Sequence, residues 1–191
     1  MALRIETADL ALGTLDALEV DALAVPVGPG RPLGGLAAFV DWRLCGAIAR
    51  AVRGGLFATE AEEALLLPTG GRLRSPRVFC FGLAREPLDG AGFAAAARRV
   101  HDAMARAGSR AFATALPRVE PGVPAPRLWL EAALSRPPER LVLLGDGRAL
   151  ARALESARGE LSAAVEVAFA PPRLQPAAKA AVLPPRSAVV R

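Results

Sequence analysis

Tyrosine is absent from this 191-residue chain, and it has a single lysine, Lys179, and a single histidine, His101. One histidine excludes a histidine-rich metal centre. It also leaves Ser75, Ser109, Ser135 and Cys45 with no basic partner at a spacing that would mark a nucleophile and its base. His101 lies between Val100 and Asp102 in a helical pattern, where adjacent residues do not face one another, so a partly exposed helix residue is expected. The near-absence of lysine qualifies the charge. Twenty-four basic against 19 acidic residues give +5 and a pI near 10.7, but the cations are arginines scattered over helices and loops. A nucleic-acid or polyanion face is therefore disfavoured. Trp42, Trp129 and seven phenylalanines are too few and too dispersed for a base-stacking platform. With two cysteines, Cys45 and Cys80, both in apolar stretches, no disulfide scaffold is possible beyond one bridge, and buried free thiols are expected. No apolar run approaches membrane-spanning length, and Met1 to Glu6 lacks a signal-peptide layout, so no membrane partner and a cytoplasmic location are expected.

What is present is an alternation of strand and helix patterns, the sign of an α/β fold. Ala2 to Glu6 reads as a short strand, and Asp21 to Val27 as an apolar strand buried on both faces. Leu36, Phe39, Val40, Leu44, Ala47, Ile48, Ala51 and Val52 mark one amphipathic helix, stopped by Gly54-Gly55. Ala64 to Leu67 and Arg77 to Gly82 are expected to pair as a hairpin around Pro68-Thr69-Gly70-Gly71. A second helix carries Phe93, Ala97, Val100 and Met104. Ala111 to Leu116 looks extended, Leu128 to Ala133 suggests a short helix, Arg140 to Gly145 is a buried strand, and Ala149 to Ala157 a last helix, with Val165 to Ala170 closing the sheet. Residues 1–170 thus make one domain. Residues 171–191, with five prolines in twenty-one positions, read as an extended or disordered tail.

The Val-Asp-Ala-Leu-Ala-Val-Pro-Val strand, the glycine-rich loop and helix after it, Gly54-Gly55-Leu56-Phe57, and Arg77-Val78-Phe79-Cys80-Phe81-Gly82-Leu83 together resemble the N-terminal domain of the cytosolic leucyl aminopeptidases over residues 16 to 158. In that family the later strand runs into Gly-Leu-Gly, whereas Ala84 follows Gly82-Leu83 here. The resemblance implies a three-layer, macro-domain-like α/β fold with a mixed, mostly parallel sheet flanked by helices. It also implies a non-catalytic part, because the family's two zinc ions and its Asn-Thr-Asp-Ala-Glu-Gly-Arg signature belong to a second domain of which this chain has nothing. No catalytic residue, metal or cofactor is therefore expected. The leading expectation is a protein-interaction or assembly module that self-associates or binds a protein partner, with Trp42 as an exposed anchor. A metalloaminopeptidase completed in trans by a separate chain is a further alternative.

A different alternative lies in the glycine loops. Gly28, Gly30, Gly34 and Gly35 sit between a buried strand and a helix start, and Gly145, Asp146, Gly147 and Arg148 occupy the same context after a later strand. Amides at a helix N-terminus cradle phosphate, and glycine permits close approach. Two loops of this kind hold the diphosphate of ADP-ribose in macro domains, so a nucleotide or ADP-ribose ligand is the alternative. Pro29 and Pro32 remove amide donors, and neither loop matches a Walker or dinucleotide-binding pattern.

Overall fold

The computed structural model describes residues 3–30, 32–161 and 165–169. The proline-rich segment 171–191 and Ala170 lie outside them. Seven strands form one sheet: β1 (Leu3–Asp9), β2 (Ala22–Val27), β3 (Ala64–Pro68), β4 (Arg77–Gly82), β5 (Ala111–Thr114), β6 (Arg140–Gly145) and β7 (Val165–Phe169). Their order is β3-β4-β2-β5-β6-β1-β7. Every neighbouring pair is parallel except β3 with β4, the expected hairpin.

The central strands bury both faces, and alternate residues serve opposite sides. Ala22, Ala24, Phe112, Leu141 and Leu143 face one core, which α4 (Gly90–Arg106), α5 (Ala125–Ser135) and α6 (Gly147–Leu161) cover with Phe93, Val100, Trp129 and Leu154. Leu23, Val25, Ala113, Val142 and Leu144 face the other, under α1 (Leu12–Ala17), α2 (Gly35–Arg43) and α3 (Ala47–Arg53). This is the three-layer fold, and its near-continuous apolar strands are what a doubly covered sheet requires.

Several local expectations are corrected. The helix expected from Leu36 to Val52 is two, because Cys45 and Gly46 adopt φ of 54° and 80° and the Asp41 carboxylate accepts from the amides of Ile48 and Ala49 at 2.8 and 3.1 Å, capping α3 afresh. That turn carries Cys45 out of the core. Its thiol is exposed, with Arg72 Nη1 3.2 Å from Sγ, while Cys80 is buried as expected. The first strand runs on to Asp9, and α1 follows it without a strong periodic signal. His101 is not partly exposed. At 1% exposure it is buried under α5, its ring 5.0 Å from that of Trp129 and 5.4 Å from that of Phe112.

Candidate ligand cleft

The chain leaves β2 toward β3 and β4 on one side and leaves β5 toward β6 on the other, so the connections diverge between β2 and β5. In open parallel sheets such a divergence opens a crevice beyond the carboxyl ends of the strands. A cavity of about 520 Å³ lies at that place. It gathers the loop after β2, the start of α2, the segment 115–118 after β5, and the end of β6.

Gly28, Gly30, Gly34 and Gly35 line it, and of the second predicted loop Gly145, the last residue of β6, lines it as well. On the first loop, Gly34 is the N-cap of α2, it has no side chain with which to cap that helix, and the first turn has no acidic residue. Among the described residues no carboxylate accepts from its first amides, which is the electrostatic condition for an anion at a helix start. Gly34, Gly35, Leu36 and Ala37, the residues of that start, face the cavity.

The second loop is built differently. The Gly147 amide donates to Asp9 Oδ1 at 2.9 Å, and the Ala149 amide donates to Asp146 Oδ1 at 2.9 Å. Thr7 Oγ1 donates to the Gly147 carbonyl at 2.7 Å. Arg148 lies with its guanidinium 5.5 Å from the centre of the Phe169 ring. The protein's own carboxylates thus occupy the start of α6, and Asp146, Gly147 and Arg148 are not among the residues lining the cavity. A Cβ on Gly147 would stand 2.6 Å from Phe169 and 2.9 Å from the Ala8 backbone, so this glycine answers to packing.

The two charged lining residues, Glu86 and Arg118, escaped the sequence reading. Glu86 Oε1 accepts the Arg118 amide at 2.8 Å, and Arg118 Nε lies 3.8 Å from Glu86 Oε2. The loops carrying them are stitched together: the Leu88 amide donates to the Arg118 carbonyl, the Glu120 amide to the Leu88 carbonyl, each at 2.9 Å, and Arg85 pairs with Glu120 at 2.7 Å. Charged residues in loops beyond β4 and β5 were the available signal, since those loops follow strands that the sequence already placed. Among the described residues no cluster of three or more His, Cys, Asp or Glu could hold a metal ion, and no helix is long and apolar enough to cross a membrane.

No protein-family model matches this chain, and no curated protein sequence matches it. Solved structures do. The macrodomain of Oceanobacillus iheyensis with ADP superposes with a TM-score of 0.56 at 11% identity, over 80% of this chain and 89% of that one. The Trypanosoma brucei macrodomain in complex with ADP-ribose gives 0.54 at 15% identity, over 78% and 67%. Tomato leucine aminopeptidase gives 0.57 at 16% identity, over 82% of this chain but only 35% of that enzyme. The fold is macro-like. The aminopeptidase resemblance holds at the level of that fold, and the chain spans about a third of the enzyme's length.

Proposed function

We propose that the chain is a macro-type binding domain whose cleft takes a nucleoside-diphosphate ligand of the ADP-ribose kind. The observation that carries this reading is the start of α2, uncapped and facing a cavity of about 520 Å³ at the β2/β5 divergence. Such a volume falls within the ordinary range for small-molecule sites, roughly 300–1,000 Å³. The diphosphate would accept from the free first-turn amides, with glycine at Gly34 and Gly35 allowing the approach. Macro-like structures with ADP and ADP-ribose support the reading by analogy of fold. It displaces the assembly module as the leading function.

The test uses titration calorimetry with ADP-ribose on the full chain and on Gly34→Asp. Gly34 has an extended φ of −115°, and a Cβ there meets nothing within 4 Å. Aspartate is a better N-cap than glycine by a few tenths of a kcal/mol, so the variant keeps its fold while placing a carboxylate where the ligand's anion would sit. Saturable binding that Gly34→Asp abolishes supports the reading. No binding, or equal binding by both proteins, overturns it.

Assembly remains a second reading because Trp42 on α2 is 72% exposed and Leu56 is 74% exposed. It requires a dimer or larger species by light scattering that Trp42→Ala returns to monomer.

A further inference from the structure

β3 stands at one end of the sheet, and among the described residues nothing pairs with its outer side. Native sheets guard such an edge with charge, because its free amides and carbonyls are a template for another strand. The far edge follows that rule, carrying exposed Glu166 on β7. β3 does not: Ala64-Leu65-Leu66-Leu67-Pro68 has no charged residue, and Leu66 is 53% exposed. Leu65 and Leu67 pack into the core under α1, α2 and α3, which turns Leu66 to the opposite face of the sheet, beside half-buried Phe79 on β4.

The ladder with β4 fixes which backbone groups are free. The Gly82 amide donates to the Glu63 carbonyl at 3.0 Å, and the Thr69 amide to the Pro76 carbonyl at 3.1 Å, in one continuous register with Leu66 opposite Phe79. Hydrogen-bonded positions alternate along an antiparallel strand, so Glu63, Leu65, Leu67 and Thr69 bond inward to β4. Ala64 and Leu66 therefore point amide and carbonyl outward, and Pro68 points a carbonyl only.

Charge gathers at the two ends of the strand, with opposite sign. Exposed Glu60 and Glu62 precede β3, and exposed Arg72 and Arg74 follow it. Among the described residues Glu60, Glu62 and Arg72 form no ion pair, while Arg74 pairs with Glu19. A strand of the same sequence laid antiparallel sets its basic end beside this acidic end, and the reverse. A parallel one would set like charge against like.

We propose that β3 is the interface of a two-fold dimer, in which a second copy of this chain adds its own β3 antiparallel to the open edge. Such an interface is self-complementary, and main-chain bonds across a sheet edge hold it. Pro68 has no amide to give, so the register that leaves neither Ala64 nor Leu66 with an idle group pairs Leu66 with the partner's Ala64 and Ala64 with the partner's Leu66. The contact uses neither Trp42 nor the ligand cleft, so it stands or falls independently of both readings above.

Sedimentation equilibrium of the full chain is expected to show a reversible dimer. Leu66→Lys puts a charge on a side chain that is already exposed, so the monomer keeps its fold, and dimerisation is expected to weaken at least about tenfold. Trp42→Ala is expected to leave it unchanged. A charge swap tests the orientation: Glu60→Lys/Glu62→Lys and Arg72→Glu/Arg74→Glu proteins are each expected to be monomeric alone and to dimerise when mixed. Hydrogen exchange identifies the contact. The Ala64 and Leu66 amides are expected to exchange at least about tenfold more slowly in the dimer, whereas the Leu65 amide is protected in both states. A monomer at every concentration overturns the proposal, as does a dimer that Trp42→Ala breaks or Leu66→Lys leaves intact. So do Ala64 and Leu66 amides unprotected in the dimer, or folded charge-swapped proteins that stay apart when mixed.

Discussion

Glu86 Oε1 accepts the Arg118 amide at 2.8 Å, and this bond puts a carboxylate of the protein inside the cleft proposed for an anionic ligand. Glu86 Oε2 also comes within 3.0 Å of where a Cβ on Gly28 would stand, so it reaches the first glycine loop. A charge here repels a diphosphate by a few kcal/mol at most, given an effective dielectric near 20 and screening at the cleft mouth. Glu86→Gln retains an oxygen for the Arg118 amide and discards the charge. We expect it to tighten ADP-ribose by about tenfold with little change in melting temperature. Calorimetry on the variant checks this, and weaker binding would show that Glu86 contacts the ligand favourably.

The two glycine loops are expected to respond differently to alanine. Gly147→Ala drives a methyl into Phe169 and the Ala8 backbone, so overpacking should cost about 1–3 kcal/mol. Gly30 meets nothing within 4 Å, and Gly30→Ala should stay within about 0.5 kcal/mol. Urea unfolding of the two variants measures both. Equal effects would contradict the division between a packed second loop and an open first one.

Strand periodicity made the sheet legible in the sequence. Residues such as Leu141 and Leu143 against Val142 and Leu144 are apolar on both faces, which only a doubly covered sheet explains. The break at Cys45 was not legible, because the spacing of Leu44, Ala47 and Ile48 continues one helical stripe across it. The break depends on Asp41 turning back to cap α3, a tertiary choice that no local propensity encodes. In the site, glycine composition marked both loops but did not distinguish them. Which loop keeps free amides was decided by Asp9 and Asp146, and Asp9 lies 138 residues from its partner Gly147. Glu86 and Arg118 entered the cleft through loop pairing, which also joins positions far apart in the chain.

The two thiols should separate cleanly on labelling. Cys45 is exposed beside Arg72, whereas burial pushes the Cys80 thiol up to about 12, with the Asp41 carboxylate adding to the shift. One equivalent of an aromatic disulfide reagent is expected to react promptly with native protein at pH 8, and the second only on unfolding. Cys45→Ser should remove the prompt equivalent. Two prompt equivalents would mean that the core around β4 opens readily.

His101 makes the stability depend on pH in a definite direction. Burial lowers its pKa from 6.5 to about 4, against weaker opposing effects of the Arg136 backbone and the Asp102 charge. Neither ring nitrogen makes a hydrogen bond of good geometry, and Trp129 Nε1 beside it has no partner. The folded protein therefore holds a neutral imidazole over a range in which the unfolded chain binds a proton. Its contribution is fully present above pH 6.5, declines as the pH falls toward about 4, and changes no further below that. The loss is on the order of 3 kcal/mol, at roughly 1.4 kcal/mol per unit. His101→Phe keeps a ring against Trp129 and Phe112 and cannot titrate. Urea unfolding at pH 7 and pH 4.5 is expected to show a smaller acid loss in the variant, by a kcal/mol or more. An acid loss identical in the two proteins would place the proton uptake on groups other than His101.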